Sequence, residues 1–368
     1  MAEPIRILHV LGILNRGGAE TMIMNLYRNI DRSKIQFDFI LHSQEKGYYD
    51  EEIINLGGRI FYVPRYSTKT VFNYIKVWND FFHKHKEYRV IHGHVRSTAS
   101  IYLNIAKKYK LTTIAHSHST SSGFGLDAFV KDILQKPLKG NLADHLFSCS
   151  ESAGKWLFGS KNMNRVSVLK NSIEVNKFTY NELVRTRMRS ELGIDQRFAI
   201  GHVGRFQTEK NHEFLINIFE EVHDKNDKTV LILIGDGELR QSIERKVVDL
   251  GLSDSVIFTG IRSDIPALLQ AIDVFLFPSL YEGLPVTLIE AQTAGLRIIS
   301  SDTITEEVIL TDLVEMVSLQ QPDSYWADRV LQYSEGYERR NTNSEILNAG
   351  YDVKENAKGL EEFYLNVY

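Results

Sequence analysis

The chain holds a single cysteine, Cys149, so no disulfide can form within it, and a lone thiol fits a reducing cytoplasm. It has no run of 18 uninterrupted apolar residues, which argues against a spanning helix. The apolar stretch from Ile5 to Leu14 is broken by Arg6, His9 and Gly12 and lacks a basic leader and a small-residue cleavage site. It therefore reads as a buried strand, not a signal peptide. There is no low-complexity segment and no repeat of the solenoid kind. A G-x-G-x-x-G fingerprint is missing, which counts against a dinucleotide cofactor. So is an Asp-x-Asp pair that could hold a divalent ion against a diphosphate. No cofactor, no metal and no nucleic-acid partner is expected.

What remains is a chain of 368 residues, too long for one ordinary core and suited to two domains of comparable size. Its 43% hydrophobic and 24% charged residues are those of a globular protein. The net charge of −4 hides an uneven distribution. Residues 1–175 carry 24 Lys and Arg against 15 Asp and Glu, whereas residues 176–368 carry 19 against 32. A basic half and an acidic half imply different neighbours.

The first half alternates short apolar runs with helical patterns, with strands near Ile5–Leu11, Ile35–Leu41, Arg59–Val63, Val90–Gly93, Thr112–Ala115, His145–Cys149 and Val166–Leu169. The second half restarts the alternation near Phe198–Val203, Val230–Ile234, Val256–Thr259, Val274–Phe277 and Arg297–Ser300. Such alternation predicts α/β domains with parallel sheets, whose ligands gather beyond the strand C-termini. Domains of 1–175 and 176–352 are expected, with a last helix from Val353 to Tyr368. Between Tyr66 and Arg89, aromatic residues at helical spacing mix with Lys69, Lys76, Lys84, Lys86 and Arg89. Phe72, Ile75, Trp78 and Phe82 read as a core stripe. The basic excess still suits contact with an anionic lipid surface.

Chemistry concentrates in the loops that follow strands. Pro278 to Gly295, P-S-L-Y-E-G-L-P-V-T-L-I-E-A-Q-T-A-G, reads strand, loop, helix, with Pro285 in the first turn. Amides there favour an anion such as a phosphate, while Glu282 and Glu290 can accept hydrogen bonds from sugar hydroxyls. Gly17 and Gly18 in N-R-G-G-A-E open the helix after the first strand and leave free amides. In G-R-F-Q-T-E-K-N-H, Arg205 and Lys210 project at a strand-to-helix junction beside Gly204, where a guanidinium and an ammonium suit a diphosphate. I-G-D-G-E-L carries Gly235 in a turn. In I-A-H-S-H-S-T, His116 and His118 could be metal ligands, but no third His, Cys or carboxylate lies at a convincing spacing, which argues against zinc.

Glu-Gly-x-Pro, with a second Glu eight positions after the first, resembles the signature of the retaining glycosyltransferases of family four, which have the GT-B fold of two Rossmann-like domains facing across a cleft. The tract as a whole is similar to the capsule and exopolysaccharide branch. The resemblance implies an acceptor-binding first domain, on which the last helix commonly packs back, and a donor-binding second domain that takes a nucleotide sugar without a metal. It places Glu290 on the ribose hydroxyls and Glu282 on the donor sugar. Arg205, Lys210 and the amides of Gly283 and Leu284 fall on the diphosphate, and main-chain groups of Ile261 and Arg262 near the base. Gly17 and Gly18 lie against diphosphate and acceptor, and His118 near the donor sugar, with His116 the competing choice. A UDP-sugar donor and a lipid-linked saccharide acceptor at the inner face of the cytoplasmic membrane follow as expectations. Two rivals share the architecture. A nucleotide-sugar 2-epimerase would consume no acceptor, and a non-catalytic scaffold subunit would lack part of the charged set.

Overall fold

Parallel pairing organises the whole chain. The computed structural model describes residues 3–15, 17–119 and 126–368; Arg16 and Thr120, each inside a stretch singled out above, lie outside them. The chain divides into two units, residues 1–173 with 350–368, and 174–349.

The first unit holds β1 (Ile5–Leu11), β2 (Ile35–Leu41), β3 (Ile60–Tyr62), β4 (Val90–Gly93), β5 (Thr112–Ser117), β6 (His145–Ser148) and β7 (Val166–Val168), in the spatial order β3-β2-β1-β4-β5-β6-β7. The second holds β8 (Phe198–Val203), β9 (Thr229–Ile234), β10 (Val256–Gly260), β11 (Val274–Phe277), β12 (Arg297–Ser301) and β13 (Val314–Val317), ordered β10-β9-β8-β11-β12-β13. β13 was not expected. Its residues Val314-Glu315-Met316-Val317 are too few and too mixed to stand out, and β12 recruits them by parallel pairing.

Both orders reverse once, between β1 and β4 and between β8 and β11, and such reversals open a crevice at the strand C-termini. Every residue of β9 and of β11 is buried. Helices on both faces cover these strands, which is why their runs are continuously apolar and not alternating.

The last helix, Val353–Val367, starts on Asp352, whose carboxylate accepts from the amides of Lys354 (2.7 Å) and Glu355 (3.0 Å). Its Val353, Ala357, Leu360 and Tyr364 fall on one face and enter the core of the first unit beside Ile7, Met22 and Phe37. The aromatic stripe on the helix Val71–Lys84 differs from the expected one. Tyr74, Trp78 and Phe82, spaced by four, are buried, whereas Phe72 is 86% exposed. Tyr74 takes the inner position because its hydroxyl finds partners there, His42 Nε2 at 2.7 Å and Thr98 Oγ1 at 3.1 Å. No helix among the described residues is long and apolar enough to cross a membrane.

Candidate active site

In the second unit the adjacent ends of β8 and β11 bring two loops together. The amide of Leu280 donates to Glu209 O (2.8 Å), and Asn211 Nδ2 donates to Pro278 O (3.1 Å). Asn211 makes the turn in the left-handed region, at φ 55°. These ties set Lys210 Nζ 2.5 Å from Glu282 Oε1, with both side chains 16% exposed. The ammonium also stands 4.9 Å from the centre of the Phe277 ring. Gly204 lies under the lysine stem, where an added Cβ would come within 2.7 Å of His202 Nε2 and 3.2 Å of Lys210 Cδ.

The loop after β9 leans on the same place. Gly235 has φ +141°, and a Cβ there would sit 2.1 Å from Gly204 O. Only glycine meets both demands. Its amide donates to Gly260 O (3.0 Å), and Phe206 N donates to Asp236 O (3.1 Å), so the ends of β8, β9 and β10 are stitched together. Arg205 is exposed and has no ion-pair partner among the described residues. The guanidinium of Arg262 is committed to Asp264 in a forked pair (2.7 and 2.6 Å), and the Ile261 side chain is exposed.

The helix Val286–Thr293 begins at Pro285 without a side-chain cap, so its first amides are left for another acceptor. Gly283 faces open space and Leu284 is half-buried. One turn on, burial pushes the Glu290 carboxyl up to about 8, although part of the side chain stays exposed. A residue absent from the sequence reading fixes this helix. Gln292 Oε1 accepts from the amides of Leu310 (3.0 Å) and Thr311 (3.1 Å), and its Nε2 donates to Leu288 O (3.0 Å) and Val308 O (2.8 Å). Gly204, Arg205, Lys210, Gly235, Ile261, Arg262, Glu282, Gly283, Leu284 and Glu290 thus all belong to the second unit, at or after strand ends.

Gly17, Gly18 and His118 belong to the first. Gly17 precedes the helix Gly18–Asn29 without a side-chain cap, and a Cβ on it would strike Glu20 Oε2 at 2.2 Å. β5 runs through Ser117, which puts His116 inside the sheet and His118 just beyond its end. The reading of these two histidines as lacking further ligands is corrected by the fold, since His9, His92 and His94 stand beside them. His9 Nδ1 is 3.0 Å from His94 Nε2, His94 Nδ1 is 2.8 Å from His118 Nε2, and His92 Nε2 is 3.1 Å from His116 Nδ1. Burial holds all five imidazoles neutral; His9 is lowered to about 3, and His118, with Arg96 adding to the effect, also to about 3. The signal was present in the sequence as His-x-His at the ends of two successive strands. A cavity of about 600 Å³ in this unit is lined by Gly12, His42, Arg65, Tyr66, Ser97 and Lys131 among others.

Residues 16–177 match the model of Glycosyltransferase Family 4, and residues 184–346 that of Glycosyl transferases group 1. The chain is 38% identical to the putative glycosyltransferase EpsF of Bacillus subtilis, over 99% of this chain and 96% of that one. It is 26% identical to the UDP-Gal:alpha-D-GlcNAc-diphosphoundecaprenol alpha-1,3-galactosyltransferase of Escherichia coli, over 55% of this chain and 54% of that one. Among solved structures, Anabaena HepE in complex with UDP and glucose superposes with a TM-score of 0.75 at 17% identity, covering 98% of this chain and all of that one. With matched models along most of its length and a relative alike from end to end, the chain belongs to the family 4 glycosyltransferases and has the GT-B fold.

Proposed function

We propose that the protein moves a sugar, with retention of configuration and without a metal at the diphosphate, from a UDP-sugar to a lipid-linked saccharide in polysaccharide assembly. The observation that carries this reading is the Lys210–Glu282 pair, set beside Gly204 and the open start of the helix Val286–Thr293 at the strand-order reversal. In the free protein each neutralises the other. A bound donor separates them: the diphosphate takes Lys210, with Arg205 and the amides of Gly283 and Leu284, and the sugar hydroxyls take Glu282. The C1–oxygen bond to the diphosphate breaks first; the acceptor oxygen then bonds C1 on the same face as its proton passes to the departing phosphate oxygen. The protein's part is to stabilise the leaving charge, so no nucleophilic side chain is required. His118, neutral, hydrogen-bonds the donor sugar.

The Escherichia coli relative is named for a UDP-sugar donor and a diphosphoundecaprenol-linked acceptor, and HepE carries UDP and glucose; both favour this donor and acceptor class. Arg65, Lys131 and Tyr66 around the cavity of the first unit suit a phosphate and a sugar ring. Phe72, exposed with Lys69 and Lys76 near it on the same helix region, suits peripheral contact with an anionic membrane.

Calorimetric titration with UDP, GDP and ADP in EDTA tests the donor site, followed by transfer from UDP-sugars to lipid-linked acceptors with the anomer read by NMR. Selective UDP binding and a retained anomer are expected. Selective GDP binding overturns the donor, an inverted anomer overturns the mechanism, and absence of any nucleotide binding makes the protein a scaffold.

A further inference from the structure

Four of the five clustered imidazoles come from two His-x-His steps on neighbouring parallel strands. His92 and His94 stand at the end of β4, His116 and His118 at the end of β5, and β1 adds His9. Residues two apart in a strand share a face, so the steps stack their rings on one side of the sheet; His116 and His118 lie 4.0 Å apart between ring centres, His92 and His94 4.4 Å.

These rings hydrogen-bond mainly to one another. A neutral imidazole has one N–H and one lone pair, so the contacts constrain the tautomers. With the Nδ1 proton of His92 given to Tyr364 Oη (2.6 Å), its Nε2 accepts from His116 Nδ1. His116 is then left with a bare lone pair at Nε2, and this atom has no partner among the described residues although the residue is 1% exposed. With the His94 proton on Nε2, facing His9 Nδ1, His94 Nδ1 is also bare and stands opposite His118 Nε2. One ring nitrogen from each of His94, His116 and His118 lies within 4.8 Å of the others.

We propose that His94, His116 and His118 form a three-imidazole site for a transition metal of the zinc class, open towards His118. Nitrogens bound to tetrahedral zinc stand about 3.4 Å apart, so the 2.8 Å between His94 and His118 has to widen by a small ring rotation. A set of neutral nitrogens without carboxylates selects zinc, copper or nickel over magnesium or calcium. His9 behind His94, and His92 with Tyr364 behind His116, are the outer partners that fix ring orientation. The site shares only His118 with the donor reading, and metal binding and nucleotide binding are measured separately, so either can fail alone.

The test uses the untagged full chain, stripped with chelator and titrated with Co2+ under visible absorption, then with Zn2+ in competition. One equivalent with the spectrum of a four-coordinate ion, displaced by zinc, is expected. His94→Ala and His118→Ala each lower the affinity at least 100-fold. His9→Ala lowers it about 10- to 100-fold through ring positioning, and a His83→Ala/His85→Ala control, at the end of the helix Val71–Lys84 and outside the cluster, leaves it unchanged. Zinc raises the thermal midpoint of the wild type and not of His118→Ala, a variant at the mouth that serves if buried His94→Ala does not fold. Absence of one-equivalent binding overturns the proposal and leaves the void of about 10 Å³ lined by His9, His92, His94 and His116 to a buried water. Binding unchanged in the His94 and His118 variants overturns it too, by assigning the metal to surface histidines.

Discussion

If Glu290 receives the ribose hydroxyls, nucleoside binding must expel a proton from it. In the free protein burial raises this carboxyl to about 8, so at pH 7 roughly nine-tenths of the molecules hold it neutral. Hydroxyls that donate to it favour the carboxylate and pull the value down on binding. At pH 7 binding then releases close to one proton, and affinity climbs with pH by at most about tenfold per unit, about 1.4 kcal/mol, levelling above the free-state value. The ligand should be uridine, because the second ionisation of a phosphate, near about 6, would overlap. Calorimetry in two buffers of different ionisation enthalpy, from about pH 6 to about 9, counts the proton directly. Glu290→Gln should flatten the profile. The stability sign follows from the same shift: the folded value lies above the ordinary 4.5, so the fold favours the neutral form, and stability is lost as pH rises from about 4.5 through about 8. Glu290→Gln should therefore gain on the wild type in thermal unfolding above pH 8. A wild-type uridine affinity that ignores pH, or an equal slope in the Gln variant, refutes the ribose assignment.

Lys210→Ala should weaken UDP about 10- to 100-fold and uridine hardly at all, since a hydrogen bond between charged groups contributes about 1.5–3 kcal/mol; equal losses by calorimetry would remove the phosphate contact. Glu282→Ala should leave donor KM within about threefold and cut kcat about 100-fold or more, and a variant that loses donor binding with turnover intact would contradict its role at the sugar. Gly235→Ala must force a side chain to φ +141° against Gly204 O, a cost of about 3 kcal/mol that urea unfolding would register. Gln292→Ala strands the amides of Leu310 and Thr311 and should cost about 2–4 kcal/mol by the same measurement, with an unshifted urea midpoint counting against its place as the anchor of the Glu290 helix.

Which of these groups the sequence reveals depends on how far along the chain their causes lie. Strand positions such as Phe198–Val203 and Val274–Phe277 were legible because a covered parallel strand is a short continuous apolar run closed by its own loop. Loop and helix boundaries around the candidate site were legible because their causes are local: a turn at φ +141° calls for Gly235, and a helix that opens at Pro285 is written in adjacent residues. Phe72 and Tyr74 exchange places because the choice between two aromatic residues is made by His42 and Thr98, from other elements. Gln292 reads as an ordinary helical residue until Leu310 and Thr311 arrive beside it. The histidines carry this furthest. His94 and His118 are 24 residues apart, outside any spacing that marks metal ligands along one element, yet they touch at 2.8 Å because β4 and β5 are neighbours in register. A parallel sheet repeats its geometry from strand to strand, so a motif of period two that recurs in matching register at the ends of neighbouring strands converges on one face. Ligand spacing in such folds has to be counted across strands as well as along them.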